Sequence, residues 1–283
     1  MPPEPWTKGR DVFDGVADIY DARRPGFPWV VFEEIAAITG LGRGSPVVEI
    51  GAGTGLATIR LAELGTTLVA VEPGPALGEL LSRRLAVFPD VTIVRSRFED
   101  WEPPKSGFDA VVAASSWHWL DPTTRWTKAH DVLNPSGWLV LLGHIVVADP
   151  DEPEVYAETA DLHEAHASGH PSWGHPPTAQ EVIAAAEAVS SSIADVERVI
   201  GRAPGPSETD LFQSPILRWY RQVQHFDAHG YVEHLRTTSV YGSLAAEVRE
   251  PLLSAVEQRI RDRMDNNATR RYLISARLAQ RRR

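Results

Sequence analysis

Residues 47–55 read Val47-Val48-Glu49-Ile50-Gly51-Ala52-Gly53-Thr54-Gly55, and the predicted architecture is arranged around them. The apolar residues on both sides of Glu49 predict a strand that is buried on both faces, as in parallel sheets. The glycines at alternate positions are followed by a helical pattern of apolar residues at Leu56, Ile59, Ala62 and Leu64. A strand, a glycine turn and a helix in this order predict a corner where main-chain N–H groups approach a ligand closely.

The spacing of the glycines separates two classes of ligand. A dinucleotide fingerprint, G-x-G-x-x-G, has its third glycine five residues after the first. That position is Leu56 here, and the third glycine is Gly55. The string Glu-x-Gly-x-Gly-x-Gly resembles motif I of the class I S-adenosylmethionine (SAM) methyltransferases, which place the methionine part of the cofactor over the glycine turn. The alternative is a glycine-containing turn that binds no such ligand.

The composition is that of a globular protein without a broad basic surface. The 283 residues include 43% apolar and 23% charged residues, and the net charge is −10. This negative charge argues against a protein that acts on RNA or DNA. The absence of cysteine excludes disulfides and thiolate metal sites. No apolar run approaches about 18 residues, and residues 1–10 lack the apolar region of a signal peptide. We therefore expect a cytoplasmic protein with no membrane or nucleic-acid partner, and a homodimer is compatible with these features.

The segment before the first strand contains the pattern Phe-x6-Tyr-x3-Arg-Pro, with Tyr20 and Arg24 at its polar positions. This pattern resembles the entry segment of small-molecule methyltransferases similar to trans-aconitate methyltransferase. There the tyrosine and the arginine cover the cofactor and hold its carboxylate, for which the planar arginine fork is suited. Arg23 is a competing register, and a surface arginine packed on the proline loop is the alternative. A helix with Gly40 as its C-cap is predicted next.

Residues 67–71 predict a second buried strand that ends at Glu72. Glu72 lies 21 positions after Gly51, close to the spacing of about 20 at which an acid meets ribose hydroxyls in such folds. A carboxylate can accept hydrogen bonds from both vicinal hydroxyls. The alternative is an acid at the end of a strand that caps the helix beginning at Pro75.

Residues 91–94 predict a third strand, and the turn after it contains Phe98, Glu99 and Asp100. In the resembled family this turn wraps the adenine. The resemblance implies that Phe98 gives a backbone N–H and an apolar face, and that Glu99 accepts from the exocyclic amine. Asp100 competes for that role, although we favour Glu99. The alternative is a solvated acidic turn.

Residues 108–114 predict a fourth strand, and Ser116-Trp117-His118-Trp119 follows it. Ligands of open α/β sheets bind at the carboxyl ends of the strands, so this loop should face the reacting methyl group. The string resembles the Ser-Phe-His-Trp-Phe-like motif of the same methyltransferases. Trp117 can close on the adenine or the sulfonium. His118 is the candidate general base or substrate orienter, because its pKa is naturally near neutral. A structural histidine, with proton removal left to water, is the alternative.

The resemblance completes the set of candidate site residues. His118 and Trp117 are the predicted catalytic residues, and Trp119, His144 and Trp173 are the predicted contacts to the acceptor. The predicted cofactor contacts are Tyr20, Arg24, Glu49, Gly51, Ala52, Gly53, Gly55, Glu72, Pro73, Phe98, Glu99, Ala114 and Trp117.

Residues 131–142 are predicted to end a helix, turn at Asn134-Pro135-Ser136-Gly137 and enter a fifth buried strand. The region after this strand is harder to interpret. Its composition changes near residue 149, and His163, His166 and His170 fall on one face of a predicted helix. Since no acid is placed as a fourth ligand and Gly169 and Pro171 follow, we expect a substrate cap or a solvated face and no metal. Residues 216–226 and 270–278 predict two further strands, the last of them antiparallel.

These predictions combine into an α/β fold of the Rossmann-like, class I methyltransferase type. We expect a seven-stranded, mostly parallel sheet with a helical cap insertion, in a single domain over residues 1–283. Its parts are a cofactor-covering segment (11–40), a SAM-binding core (41–148), a cap (149–215) and the C-terminal part of the sheet (216–283).

The expected activity is SAM-dependent methylation of a small-molecule acceptor, with S-adenosylhomocysteine (SAH) as product. O-methylation of a carboxylate, phenol or alcohol is favoured. A SAM-binding protein that is regulatory or does not transfer methyl is the alternative. A nicotinamide-dependent dehydrogenase is disfavoured by the positions of Gly55 and Leu56.

Overall fold

The computed structural model describes residue 19 and residues 23–104, 107–151, 155–168, 175–201 and 210–283. The predicted site residues Tyr20 and Trp173 lie outside these ranges, as does His170 of the histidine-rich segment.

Seven strands form one sheet in the order β3-β2-β1-β4-β5-β7-β6. They are β1 (Pro46–Ile50), β2 (Thr67–Val71), β3 (Val91–Val94), β4 (Phe108–Ala114), β5 (Leu133–Val146), β6 (Ile216–Phe226) and β7 (Ala268–Gln280). Strands β1 to β5 pair in parallel, whereas β7 is antiparallel to both β5 and β6. The predicted seven-stranded, mostly parallel sheet with an antiparallel last strand is confirmed.

Ten α-helices connect the strands in the described ranges. They are α1 (Trp29–Thr39), α2 (Thr58–Glu63), α3 (Pro75–Leu85), α4 (Arg125–Val132), α5 (Val155–Ala167), α6 (Ala179–Glu187), α7 (Ile193–Ile200), α8 (Ala228–Arg236), α9 (Ser239–Gly242) and α10 (Ala246–Arg263). Helices α5, α6 and α7 lie between β5 and β6 in the chain, where the sequence predicts a helical insertion.

Both faces of the sheet are buried, which explains the continuous apolar runs of the central strands. Val48 and Val111 pack on one face with Trp126 of α4. Their neighbours Val47 and Val112 pack on the other face with Phe32 of α1. Because successive side chains of a strand point to opposite faces, these four valines contribute to two separate cores. The carboxyl ends of the strands are thereby held in fixed positions.

The chain departs from the predicted elements at two places. Helix α2 begins only at Thr58, three residues after the last glycine of the turn, because the turn residues have conformations that are not helical. Pairing of β5 begins at Leu133, before the predicted turn, and then shifts register between its partners Phe108 and Ala110. Gly137 permits this bulge because it has no Cβ. A Cβ at this position would lie only 2.9 Å from the carbonyl oxygen of Phe108, which is too close.

A separate apolar cluster joins α5, α8 and α10 to the ends of β6 and β7. Its buried members include Val155, Leu235, Val256 and Ala268. This cluster places the C-terminal helices beside the start of β7. In the part of the chain that the structure describes, no helix has both the length and the apolar character that crossing a membrane requires.

Candidate active site

A cavity of about 1170 Å³ opens at the carboxyl ends of β1, β2, β4 and β5. It continues past the glycine turn to the start of β7 and to α5, α8 and α9. The volume exceeds the roughly 300–1,000 Å³ that is usual for one small ligand. The cavity therefore has room for a cofactor together with a second molecule.

The glycine turn forms one wall of this cavity. Gly51 and Gly53 have φ angles of 67° and 59°, in the left-handed region that favours glycine. A Cβ on Gly51 would lie 2.6 Å from the Cβ of Ser116, whereas one on Gly53 would meet no atom within 4 Å. Gly51 is thus required by packing, while Gly53 leaves open space on the cavity side.

Gly55 has a different position from the other two glycines. Its φ angle is 94°, and a Cβ there would lie 2.9 Å from Cδ1 of Leu81 on α3. Ala52, Gly51 and Gly53 line the cavity, but Gly55 is not among its lining residues. The structure therefore places Gly55 behind the wall, where its missing side chain allows α3 to pack closely.

Glu72 connects the glycine turn to the helix that follows β2. Its Oε2 accepts from the N–H of Gly53 and its Oε1 accepts from the N–H of Gly74, both at 2.8 Å. Each carboxylate oxygen has a second lone pair, and Glu72 lines the cavity beside Pro73. Glu72 thus binds the N–H of Gly74, the residue before α3, but does not cap the helix itself. Its place on the cavity wall is compatible with the predicted role as an acceptor for ribose hydroxyls.

Glu49 is buried beneath the glycine turn. Its side chain is almost fully enclosed, and it lines the cavity. Burial raises the pKa of Glu49 to about 8, an effect that nearby Glu72 strengthens and Thr58 opposes. We therefore expect this carboxyl group to be largely protonated at neutral pH in the protein without ligand.

The turn after β3 supplies a flat wall. Phe98 is buried, and Lys128 Nζ lies 5.2 Å from the centre of its ring. Glu99 Oε1 accepts from the N–H of Asp121 at 2.8 Å. The Glu99 side chain is 13% exposed, whereas that of Asp100 is 67% exposed. The structure thus places Glu99, and not Asp100, on the cavity wall.

The loop after β4 brings three aromatic residues to the cavity. Trp117, His118 and Trp119 form a short 3₁₀ turn, preceded by Ser115 with a φ angle of 58°. Trp117 is buried against Trp126, with ring centres 4.8 Å apart. His118 and Trp119 are half-buried with ring centres 4.7 Å apart. All three line the cavity, as does Ala114 at the end of β4.

The two neighbouring arginines before α1 have different environments. Arg23 pairs with Glu233 of α8 at 2.7 Å. Arg24 donates from Nη2 to the carbonyl oxygen of Thr237 at 2.6 Å and lines the cavity. The sequence leaves open whether Arg23 or Arg24 occupies the predicted position, and the structure places Arg24 on the cavity wall.

His144 lies within β5, near the carboxyl end of the strand, and also lines the cavity. Its ring centre is 4.4 Å from that of Phe27 and 5.6 Å from that of Tyr272. Burial, with a contribution from the nearby Arg24 guanidinium, lowers the pKa of His144 to about 4. The imidazole is therefore neutral at physiological pH.

His163 of α5 has a structural hydrogen-bond network. Its Nδ1 lies 2.7 Å from the carbonyl oxygen of Thr159, and its Nε2 lies 2.6 Å from the hydroxyl of Tyr241. Since a carbonyl can only accept, Nδ1 donates and Nε2 accepts from the tyrosine. His166 is exposed. Within the described ranges, no three metal-ligating side chains lie close enough to hold an ion.

A buried ion pair holds helix α7 against the sheet. Arg277 Nε of β7 lies 2.6 Å from Oε1 of Glu197, and their side chains are 4% and 1% exposed. Burial raises the pKa of Glu197, although Arg277 and Arg125 oppose that shift. Arg277 and Glu197 line the cavity, so this helix forms part of its wall.

Comparison with known proteins connects this geometry to a family. The family described as a methyltransferase domain matches residues 47–137, which run from β1 to the bulge in β5. The matched residues are 91 of the 283 in the chain, and over them the chain is similar to a methyltransferase domain. The glycine turn and the sheet order described above also agree with the class I methyltransferase fold that the sequence predicts.

Curated relatives match the same part of the chain. An uncharacterized methyltransferase of Mycobacterium tuberculosis (strain H37Rv) is 29% identical over 153 residues, covering 49% of this chain and 60% of the relative. The uncharacterized methyltransferase YrrT of Bacillus subtilis is 30% identical over 120 residues, covering 42% of this chain and 54% of the relative. The alignments thus span little more than half of these relatives.

Solved structures extend the likeness of the fold over most of the chain. One protein from Anaeromyxobacter dehalogenans, proposed to be a type II methyltransferase, superposes with a TM-score of 0.60 and 20% identity, covering 90% of this chain and 97% of that one. A SAM-dependent methyltransferase from Geobacter sulfurreducens in complex with SAH gives a TM-score of 0.51 and 12% identity over 95% and 98% of the two chains. At these identities the likeness establishes the fold.

The residues that line the cavity near the glycine turn fit SAM as a cofactor. The space beside Gly53 would be filled by a Cβ, so the backbone can approach a ligand there. Glu72 offers acceptors for hydroxyl groups, and Arg24 offers a cation for a carboxylate. Phe98 offers an apolar face for a base. These groups match the methionine, ribose and adenine parts of SAM.

Several lining residues were missed by sequence reasoning. They come from the C-terminal half of the chain: Tyr231, His234, Tyr241, Arg270, Tyr272 and Arg277. The sequence predicts the strand that carries Arg270 and Tyr272. It does not indicate that Nε2 of His234 on α8 lies 3.1 Å from the hydroxyl of Tyr272, because these residues are 38 positions apart in the chain.

Proposed function

We propose that the chain is an enzyme that transfers a methyl group from SAM to an oxygen atom of a small molecule. A carboxylate, a phenol and an alcohol are the favoured acceptors. The observation that carries this proposal is the extent of the cavity. It runs from the glycine turn past His118 and Trp119 to His144 and α5, and its volume is about 1170 Å³. A cavity of this extent suits a small acceptor beside the cofactor.

We assign the cofactor to the cavity wall that is formed by the turns after β1, β2 and β3. Arg24 holds its carboxylate, Glu72 accepts from the ribose hydroxyls, and Phe98 and Glu99 contact the adenine. When bound, the cofactor supplies a methyl group on a sulfonium, a leaving group that needs no activation. Glu49, Gly51, Ala52, Gly53, Pro73, Ala114 and Trp117 complete the wall, and Tyr20 remains a proposed contact.

The chain's own residues then align the acceptor and exclude water. Trp119 and His144 bind the acceptor, and Trp173 is a further proposed contact. His118 orients the reacting oxygen and removes its proton when the acceptor is a phenol or an alcohol. His144 is unsuited to that task because a pKa of about 4 makes it a weak base.

The division of the chain follows from this assignment. We propose one methyltransferase domain over residues 1–283, in which residues 11–40 cover the cofactor and 41–148 bind it. Residues 149–215 act as a cap over the acceptor, and the ion pair between Glu197 and Arg277 supports this role by joining α7 to the sheet. The absence of cysteine fits a cytoplasmic enzyme.

His118→Ala tests the proposed chemistry. We expect SAM to bind within twofold of the wild-type affinity, because His118 faces the acceptor. With a phenol or alcohol acceptor kcat should fall at least about a hundredfold, the lower range for general base catalysis. With a carboxylate acceptor, which has no proton to lose, the fall should be smaller. SAH formation measured over a panel of all three acceptor classes gives these values.

His166→Ala is the matched control, since His166 is exposed and does not line the cavity. Unchanged turnover in the His118 variant would make that histidine structural. If wild-type protein binds SAM but forms SAH with none of the acceptors, a non-transferring role replaces the proposal.

A further inference from the structure

The start of β7 places a guanidinium group in the cavity, beside residues of α8. Arg270 lines the cavity, and its Nη1 lies 3.5 Å from the hydroxyl of Tyr231. Its Cζ lies 5.8 Å from the centre of the Tyr272 ring. We propose that Arg270 binds an anionic group of the methyl acceptor, a carboxylate or a phosphate, while another part of the same molecule faces His118. This inference rests on the proposed methyl transfer.

Within the described ranges, no carboxylate balances the charge of Arg270. Its Nε is buried without a hydrogen-bond partner, and no Asp or Glu forms an ion pair with it in the described ranges. The groups that act on it electrostatically are the hydroxyls of Tyr231, Tyr241 and Tyr272. Burying a cation without a counter-charge is costly, so an anionic ligand at this position is strongly favoured over a neutral one.

Arg277, seven residues later on the same strand, shows how the protein treats a buried arginine that needs no ligand. Its Nε lies 2.6 Å from Glu197, and its Nη1 donates to Ser275 Oγ at 2.6 Å. Arg125 likewise faces the carboxylates of Glu197 and Asp121. Among the described residues, the partners of Arg270 are neutral hydroxyl groups, which distinguishes it from Arg277 and Arg125.

The neighbouring histidines add no negative charge and no competing positive charge. Burial, together with Arg270 and Arg24, lowers the pKa of His234 well below its ordinary range. His234 Nδ1 lies 3.0 Å from the carbonyl oxygen of Arg23, so this nitrogen donates. Its Nε2 then accepts from the hydroxyl of Tyr272 at 3.1 Å. The imidazole is neutral and its hydrogen bonds are used within the protein.

The hydrogen bonds within the protein determine which of these groups can donate to a ligand. The hydroxyl protons of Tyr272 and Tyr241 go to His234 and His163 respectively. Compared with these two hydroxyl groups, the guanidinium of Arg270 is a charged donor that lines the same cavity. A group that only accepts hydrogen bonds and carries negative charge is its natural complement, and the planar fork suits carboxylate and phosphate oxygens.

The test uses matched aromatic probes, because the acceptor itself is not identified. The full chain is saturated with SAH and titrated calorimetrically with benzoate, phenyl phosphate and benzamide. We expect benzoate or phenyl phosphate to bind at least tenfold more tightly than benzamide, which has the same ring without the charge. Which of the two anions binds better distinguishes a carboxylate site from a phosphate site.

Arg270→Met should remove this preference while SAH binds within twofold of wild type. Arg221→Met is the control, since Arg221 is exposed on β6 and lies outside the cavity; it should retain the full preference. Arg270→Lys keeps the charge and loses the fork, so it should retain part of the preference.

Two results would overturn the inference: equal binding of benzamide and both anions to the wild type, or a preference that survives in the methionine variant. The first needs no variant, so the inference stays open to refutation even if Arg270→Met does not fold. Failure of the wild type to bind SAH would instead refute the proposed function, which separates the two failures.

Discussion

Gly53→Ala should lower the affinity for SAM at least a hundredfold and leave the protein folded. A methyl group at this position meets no protein atom within 4 Å, because it would project into the cavity where the turn approaches the cofactor. The φ angle of 59° costs an alanine about 1–2 kcal/mol in stability. Calorimetric titration with SAM and a thermal melt of the same preparation measure the two effects separately.

Gly44→Ala is the matched control for the backbone cost. Gly44 also has a left-handed φ angle, 77°, and open space around its Cβ position, but it does not line the cavity. We expect the same small loss of stability with unchanged SAM affinity. If the Gly53 variant bound SAM as tightly as the wild type, the cofactor could not lie over the glycine turn.

Glu72→Ala should lower the affinity for SAM at least tenfold, which is about 1.4 kcal/mol. The substitution removes the acceptor proposed for the ribose hydroxyls, and it also leaves the N–H groups of Gly53 and Gly74 without the partners they have at 2.8 Å. Calorimetry measures the total effect. Glu63→Ala is the control, because Glu63 pairs with Arg60 on the surface of α2, away from the cavity.

An analogue of SAH that lacks the ribose 2′-hydroxyl separates the two contributions of Glu72. If Glu72 accepts from that hydroxyl, the alanine substitution should weaken binding of the analogue by less than it weakens binding of SAH. Equal losses for both ligands would mean that Glu72 acts only by ordering the glycine turn. Unchanged affinity for SAH would refute the ribose assignment altogether.

The sheet could be predicted from the sequence because its determinants are local. A run such as Val47–Ile50 is apolar on both faces, and this pattern alone predicts a buried parallel strand. The end of α1 at Gly40, with a φ angle of 78°, follows from the same kind of local rule. Strands β6 and β7 could also be located, although β7 begins two residues earlier than predicted.

The cavity wall near the glycine turn could be predicted for a second reason, the resemblance to known motifs. The structure places Arg24, Glu72, Phe98, Glu99 and His118 around one cavity, and their roles remain predictions. The competition between Arg23 and Arg24 could not be decided from spacing. It depends on Glu233, which lies in α8 and pairs with Arg23.

The part of the cavity around Arg270 could not be predicted, because it is built from contacts between distant elements. Tyr231 and His234 come from α8, Tyr241 from α9, and Arg270 from β7. Each of them is an ordinary residue in its own segment. They can form a binding site only because the packing of α8 and α10 against the sheet brings them together.

The most direct test of the central claim is a calorimetric titration of the full chain with SAM, SAH and NAD in separate runs. The account predicts micromolar binding of SAM and SAH at one site per chain, and no binding of NAD. Binding of NAD without binding of SAM or SAH would contradict it, since the glycine turn would then hold a dinucleotide.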